Sequence, residues 1–252
     1  MLTLSPLPGI PLVQPGDDLA ALIVAAMARN SVSPCERDVL VVAQKIVSKS
    51  EGRHVDLPTV RPSPRAIELA REVQKDPRLV EVILSESRRI VRQRPGVLIV
   101  EHRLGFVMAN AGVDRSNVAG AGTEERVLLL PLDPDASAAG LRQRLSSHFG
   151  TDIAVVINDS FGRPWRRGAV GVALGAAGLP ALLDLRGKPD LYGRTLEVTI
   201  SGFADEIASA ASLIMGQADE AVPAVLVRGL GWSAPASKAA TIIRAPDEDL
   251  FR

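Results

Sequence analysis

Three short apolar runs constrain this chain most: Asp38 to Ala43, Asp152 to Ile157 and Pro223 to Arg228. Each is too short for a helix, rich in β-branched residues and apolar on both faces, which is the pattern of a strand buried from two sides. Between the runs the apolar period lengthens to that of helices. Asp17 and Asp18 precede Leu19, Leu22, Ile23, Ala26 and Met27, predicting a capped helix that ends near Asn30. Ser63-Pro64 opens another, with Ile67, Leu69, Ala70 and Val73 on its buried side and Asp76-Pro77 at its end. Further helices are predicted over Leu79 to Glu86, from the Leu132 to Ser137 segment through Phe149, and over Ala204 to Met215. Further strands are predicted over Leu2 to Leu4, Arg89 to Val91, Val97 to Val100, Val127 to Leu130 and Leu196 to Ile200. Strands and helices alternate irregularly, so the expected class is α+β, with mixed sheets and flanking helices, and not a regular barrel.

Composition narrows the function. The 252 residues are 46% hydrophobic, enough for a substantial core without staples. Lys+Arg 29 balances Asp+Glu 29, and aromatic residues are only 3%, so neither a basic footprint nor a base-stacking surface for nucleic acid is expected. The single cysteine, Cys35, excludes an intrachain disulfide and a multi-cysteine zinc site. Pro6, Pro8 and Pro11 interrupt the start of the chain, and no apolar run reaches membrane-spanning length. A soluble, cytoplasmic protein is expected.

Two segments carry chemistry. Asn110-Ala111-Gly112-Val113-Asp114-Arg115-Ser116-Asn117 and Asn158-Asp159-Ser160-Phe161-Gly162-Arg163 each set a carboxylate among small hydrogen-bonding residues, just after β-prone sequence. Read as loops at strand ends, they bring Asp114 and Asp159 together to hold a hard divalent cation. Arg163, Arg166 and Arg167 follow closely, and carboxylates beside arginines suit a metal together with phosphate. The plainer alternative is that each aspartate forms a turn or caps a helix. Gln44, Lys45, Lys49 and Arg53, after the first apolar run, fit either phosphate binding or a solvated amphipathic helix. Asp133 and Asp135 fit caps better than ligands, and Glu81, Glu86, Arg88 and Arg89 read as surface charge first and as substrate contacts second. Gly168, Gly171, Gly175 and Gly178 do not spell G-x-x-x-x-G-K-[ST] or G-x-G-x-x-G, so neither a P-loop nor a Rossmann turn is expected.

At these two segments the chain resembles the coenzyme F420-0:L-glutamate ligase family, through residues 110 to 117 and 158 to 168. Leu7 to Leu12, Gln44 to Gly52, Leu132 to Ser137, Asp190 to Arg194, Ala204 to Ala208, Met215-Gly216 and Pro223 to Gly229 continue the resemblance in order. It implies one ligase domain over residues 1–252, with room for two subdomains and none for the flavin-binding reductase domain fused in some members. The fold implied is an unusual α+β one in an intertwined homodimer.

The activity implied is GTP-dependent addition of L-glutamate to the phospholactyl carboxylate of F420-0, extended by γ-linked glutamates, in coenzyme F420 biosynthesis. Two Mg²⁺ or Mn²⁺ ions per subunit are implied, with K⁺ as a further candidate. Asp114 and Asp159 correspond to ligands of one metal. Ser160, where the family commonly has threonine, and Gln217 correspond to the second, with Asp219 and Glu220 as alternatives to Gln217. Guanine nucleotide is expected at Gly9, Ile10, Pro11, Leu12, Gln44, Lys49, Asn117 and the loop Met215, Gly216, Gln217, Ala218, Asp219, Glu220, Ala221 and Val222. Lys49, Arg163, Arg166 and Arg167 are the expected phosphate contacts in catalysis. Two other readings fit the bare residues: a ligase or phosphohydrolase for a related phospho-carboxylate or nucleotide, and a non-catalytic deazaflavin or nucleotide binder.

Overall fold

The computed structural model describes residues 1–115 and 125–250. The chain opens with β1 (Thr3–Pro6), α1 (Leu19–Arg29), β2 (Val39–Ala43), α2 (Gln44–Ser50), β3 (His54–Asp56), α3 (Pro64–Val73) and α4 (Pro77–Ser85). It continues through β4 (Ser87–Arg94), β5 (Val97–His102), β6 (Val107–Ala109), β7 (Arg126–Leu128) and α5 (Pro134–Phe149). It closes with β8 (Ala154–Arg163), β9 (Arg166–Ala177), β10 (Leu183–Asp184), β11 (Ile200–Ser201), α6 (Phe203–Met215) and β12 (Ala224–Arg228).

The three apolar runs form the centre of a five-stranded mixed sheet in the order β1-β12-β2-β8-β9. β2 and β8 are parallel, and the other neighbours in this sheet are antiparallel. Alternation along the strands explains why the runs are apolar throughout. Leu40, Val42, Val155, Ile157 and Leu226 face α1 and α5, packing with Ile23, Met27, Leu141 and Leu145. Val39, Val41, Val156, Val225 and Val227 face α6, packing with Phe203, Ile207 and Ala211. Each fully buried valine or leucine here stabilises the fold by about 1.5–3 kcal/mol relative to exposure. A third apolar cluster joins α3 and α4 to β5 and β7, under the three-stranded sheet β4-β5-β6. β3 pairs with β7 and β10 with β11, and no barrel forms among the described residues.

Local chemistry sets the helix ends. Asp18, Ser63, Asp76 and Asp133 accept hydrogen bonds from the amides of Ala21, Ala66, Arg78 and Ala136. Each satisfies an amide that has no partner within its helix. Asp135 lies inside the fold instead and accepts from Ala176 N at 2.9 Å and Ala239 N at 2.8 Å, tying α5 to β9 and to the C-terminal segment. The glycines of β9 make room for backbone. A Cβ on Gly171 would lie 2.5 Å from the Ala208 carbonyl oxygen, and one on Gly175 would collide with the Pro134 carbonyl. These glycines let α6 and α5 press onto β9 from opposite sides.

Four expectations are corrected. β8 does not end near Ile157 but runs on through Arg163, because β9 supplies antiparallel partners as far as the Pro164-Trp165 turn. Leu196 to Ile200 is not a strand as a whole. Only Ile200–Ser201 pairs with β10, while Leu196 bonds through its backbone to Gly187 and Lys188 in an irregular turn. Ile67 is 38% exposed, since the inward face of α3 is filled by Ala66, Leu69, Ala70 and Val73. Glu81 and Glu86 are not loose surface charge. Glu81 accepts from Ser63 N and Oγ, and Glu86 is buried, accepting from Arg53 and Arg103 beside the fully buried His102.

Candidate active site

The site lies where β2 stops and β8 goes on alone with β9. Ala43, the last residue of β2, pairs with Asn158, and Gln44 begins α2 at that point. The first turn of α2 therefore stands beside Asp159. Asp114 arrives from the other side. It exchanges two backbone hydrogen bonds with Leu128, at 3.0 and 2.9 Å, which fix its backbone beside β7. The turn before it is left-handed at three successive residues, Asn110 (φ 53), Ala111 (φ 54) and Gly112 (φ 67). Such backbone costs a non-glycine residue roughly 1–2 kcal/mol, and burial of Ala111 in the third cluster holds it.

Charges converge here. Lys45 Nζ is 2.8 Å from Asp114 Oδ2. Burial pushes the Asp159 carboxyl up to about 6, and the Asp114 charge adds to this against the Ser160 N–H at 2.8 Å and the Lys45 charge. Lys49, one turn along α2, is lowered by burial and by neighbouring Lys45. Ser160 Oγ donates to Gln217 Oε1 at 2.7 Å, joining β8 to the loop after α6. Glu220 turns back on its own loop, where it accepts from Ala218 N at 2.8 Å, and these backbone amides lower its pKa. Asn158 donates to Ser212 Oγ at 3.0 Å, and its Oδ1 is buried with no hydrogen-bond partner among the described residues.

Of the residues expected from sequence, the structure sets Asp114, Asp159 and Lys49 around Lys45, and links Ser160, the residue after Asp159 on β8, to Gln217. Gln44 is placed at the start of α2, but its amide donates into the interior, to Ser48 Oγ at 2.7 Å and Leu129 O at 3.4 Å. Arg53 is spent on Leu130 O and Glu86. Gly9 to Leu12 form a loop held by Arg29 on the Gly9 carbonyl, with Leu12 exposed and Ile10 packed on the core. Met215 ends α6 and Gly216 to Val222 follow it, the φ of 72° at Gly216 turning the chain there. The arginines stand apart from this cluster. Arg163 pairs with Arg166 at the hairpin tip, four residues beyond Asp159, or about 13 Å along the strand. Asn117 lies outside the described residues.

Sequence reasoning passed over Lys45 as an ion-pair partner and did not single out Asn158. Lys45 lies on an amphipathic helix whose lysines read equally well as solvated. For Asn158 the signal was present, since a polar residue directly follows four buried apolar ones.

The oxygen donors fit a hard divalent cation. Two carboxylates from distant parts of the chain lie close enough for one to raise the pKa of the other, and the next residue of β8 joins a hydroxyl to an amide oxygen. No group of three His, Cys, Asp or Glu converges among the described residues, so the remaining ligands would be neutral oxygens, water or phosphate.

The family model described as F420-0:Gamma-glutamyl ligase matches residues 9–229. A protein of Methanopyrus kandleri named Coenzyme F420:L-glutamate ligase is 50% identical over 256 residues, covering 100% of this chain and 98% of its own length. A protein of the same name from Methanothermobacter thermautotrophicus is 46% identical over 97% of this chain and 96% of its own. One from Archaeoglobus fulgidus is 43% identical over 98% and 95%. With the family matched over most of its length and three such relatives aligned almost end to end, this chain belongs to the F420-0:gamma-glutamyl ligase family.

Proposed function

We propose that this protein is a GTP-dependent, GDP-forming ligase that joins L-glutamate to the phospholactyl carboxylate of F420-0 and then adds γ-linked glutamates. The observation that carries the reading is the meeting of Asp114, Asp159 and Lys45 beside Lys49, in a chain whose relatives bear the ligase name along its whole length. Amide formation from a free carboxylate needs a leaving group. The F420-0 carboxylate oxygen attacks the γ-phosphorus of GTP, the bridging P–O bond breaks and GDP departs, leaving an acyl phosphate. The glutamate amine then attacks the acyl carbon, inorganic phosphate leaves and the nitrogen loses its proton.

The first step brings two anions together, so positive charge must meet them. Asp114 and Asp159 would hold one Mg²⁺ or Mn²⁺, and Ser160 and Gln217 a second, with K⁺ as a further ion. Bound there, the metals supply charge neutralisation and orientation of the phosphate chain. Lys49 would contribute positive charge to that chain, and its partial burial strengthens its electrostatic effect. Gly9 to Leu12, Asn117 and the loop Met215 to Val222 would bind the nucleotide. Arg163, Arg166 and Arg167, set off on the hairpin, serve the more distant anionic groups of the substrates.

A homodimer is part of the proposal. Trp165, Leu191, Tyr192, Val198 and Leu213 are each more than 80% exposed, an apolar supply suited to a second copy. No helix among the described residues is long and apolar enough to cross a membrane. The test is GDP release from GTP and Mn²⁺ by the purified protein, with F420-0 and L-glutamate added separately and together. Release that requires F420-0 and is sustained only when L-glutamate is also present supports the ligase. Release with neither favours a phosphohydrolase, and none at all a binder.

A further inference from the structure

Lys45 does more than complete an amphipathic helix. It sits on the first turn of α2, with its ammonium 2.8 Å from Asp114 Oδ2 and its charge also acting on Asp159. The two carboxylates come from separate parts of the chain; the Lys45 ammonium contacts Asp114, and its charge reaches Asp159. The arrangement is a cation site already filled by a side chain. Lys45 and Asp114 keep 30% and 33% of their side-chain surface exposed, so the ion pair is open to competition. A divalent ion offers both carboxylates twice the charge of an ammonium. Lys49 follows four residues later, on the same face of α2. An ammonium released from Asp114 therefore has a cationic neighbour with which to share an anion.

We propose that Lys45 is the internal counter-cation of the Asp114 and Asp159 pair, exchanged for the divalent metal on loading and then passed to the nucleotide phosphates beside Lys49. The inference rests on the metal reading of that pair. It makes loading of metal and nucleotide mutually supportive. The metal frees the lysine that the phosphates need, and the phosphates hold that lysine away from the carboxylates.

The experiment is calorimetric titration of the purified protein with Mn²⁺ alone, then with GTP at saturating Mn²⁺, for wild type, Lys45→Met and Asp159→Asn. Lys45→Met binds Mn²⁺ about fivefold more tightly than wild type, because its competitor is gone, yet binds GTP about fivefold more weakly. The opposed signs identify the exchange, since general damage would weaken both. In EDTA, Lys45→Met melts below wild type, and Mn²⁺ narrows the gap. Should Lys45→Met fail to fold, Lys45→Gln gives the same pair of signs. Mn²⁺ binding that is unchanged or weaker in the lysine variant, while Asp159→Asn abolishes it, overturns the exchange and leaves the metal reading standing. A wild type that binds no Mn²⁺ overturns both. Unchanged GTP affinity overturns the transfer to phosphate.

Discussion

Replacing Glu86 by glutamine tests how the fold supports the site. Glu86 is buried at the end of α4 and accepts from Arg53 Nη2 at 3.1 Å and Arg103 Nε at 3.0 Å, with His102 Nε2 at 3.4 Å. Burial alone would raise its carboxyl. The nearby His102 imidazole, the Arg103 hydrogen bond and the charges of Arg103 and Arg53 overcome that, holding it at about 2 against an ordinary 4.5. At about 1.4 kcal/mol per pKa unit, the shift corresponds to roughly 3 kcal/mol of stability. The folded pKa is depressed, so this contribution is complete above the unfolded value of 4.5 and is lost as pH falls toward 2. Glutamine keeps the shape but leaves the charges of Arg53 and Arg103 without their carboxylate. Urea unfolding at pH 7 should show Glu86→Gln less stable by about 2–3 kcal/mol, and the gap should narrow by about 1 kcal/mol at pH 4 as wild type loses its advantage. A variant as stable as wild type at pH 7, or a gap that does not change with pH, refutes the argument.

Asp159→Asn should lower turnover by on the order of 10²–10³ through lost charge at the site, with the melting temperature held near that of wild type. Steady-state rates beside a melting curve check this, and near-wild-type turnover would contradict it. Gly171→Ala should cost about 1–3 kcal/mol, because its Cβ would meet the Ala208 carbonyl at 2.5 Å; thermal unfolding measures the loss. Ser160→Thr keeps the hydroxyl that reaches Gln217 and should retain activity, whereas Ser160→Ala should lose about tenfold. Equal rates for the two variants would show that the hydroxyl contributes nothing.

The central sheet was legible because its strands are buried on both faces, which leaves an unbroken apolar run such as Val39 to Val42. Helix starts were legible because Asp18, Ser63 and Asp133 cap through their own side chains. The extension of β8 was not. Asn158 to Arg163 carries no apolar alternation, and its strand character comes from β9, across a turn. Glu86 reads as surface charge because burial of a carboxylate depends on partners as distant as Arg53. The resemblance named Asp114, Asp159, Ser160 and Gln217 together, and the geometry adds what no spacing could show, the ammonium of Lys45 against Asp114. The arginines, close to Asp159 in sequence, are carried away from it by the same β8 that was read as ending too soon.

The central claim, that this chain adds glutamate to F420-0 at the Asp114 and Asp159 site, meets its most direct test in one mass spectrum. The purified protein is incubated with F420-0, L-glutamate, GTP and Mn²⁺, and the deazaflavin is weighed beside a parallel Asp159→Asn reaction. Wild type should give product heavier by one or more glutamyl residues, and the variant unmodified F420-0. Unmodified F420-0 in the wild-type reaction, with GTP and metal both bound, would contradict the claim.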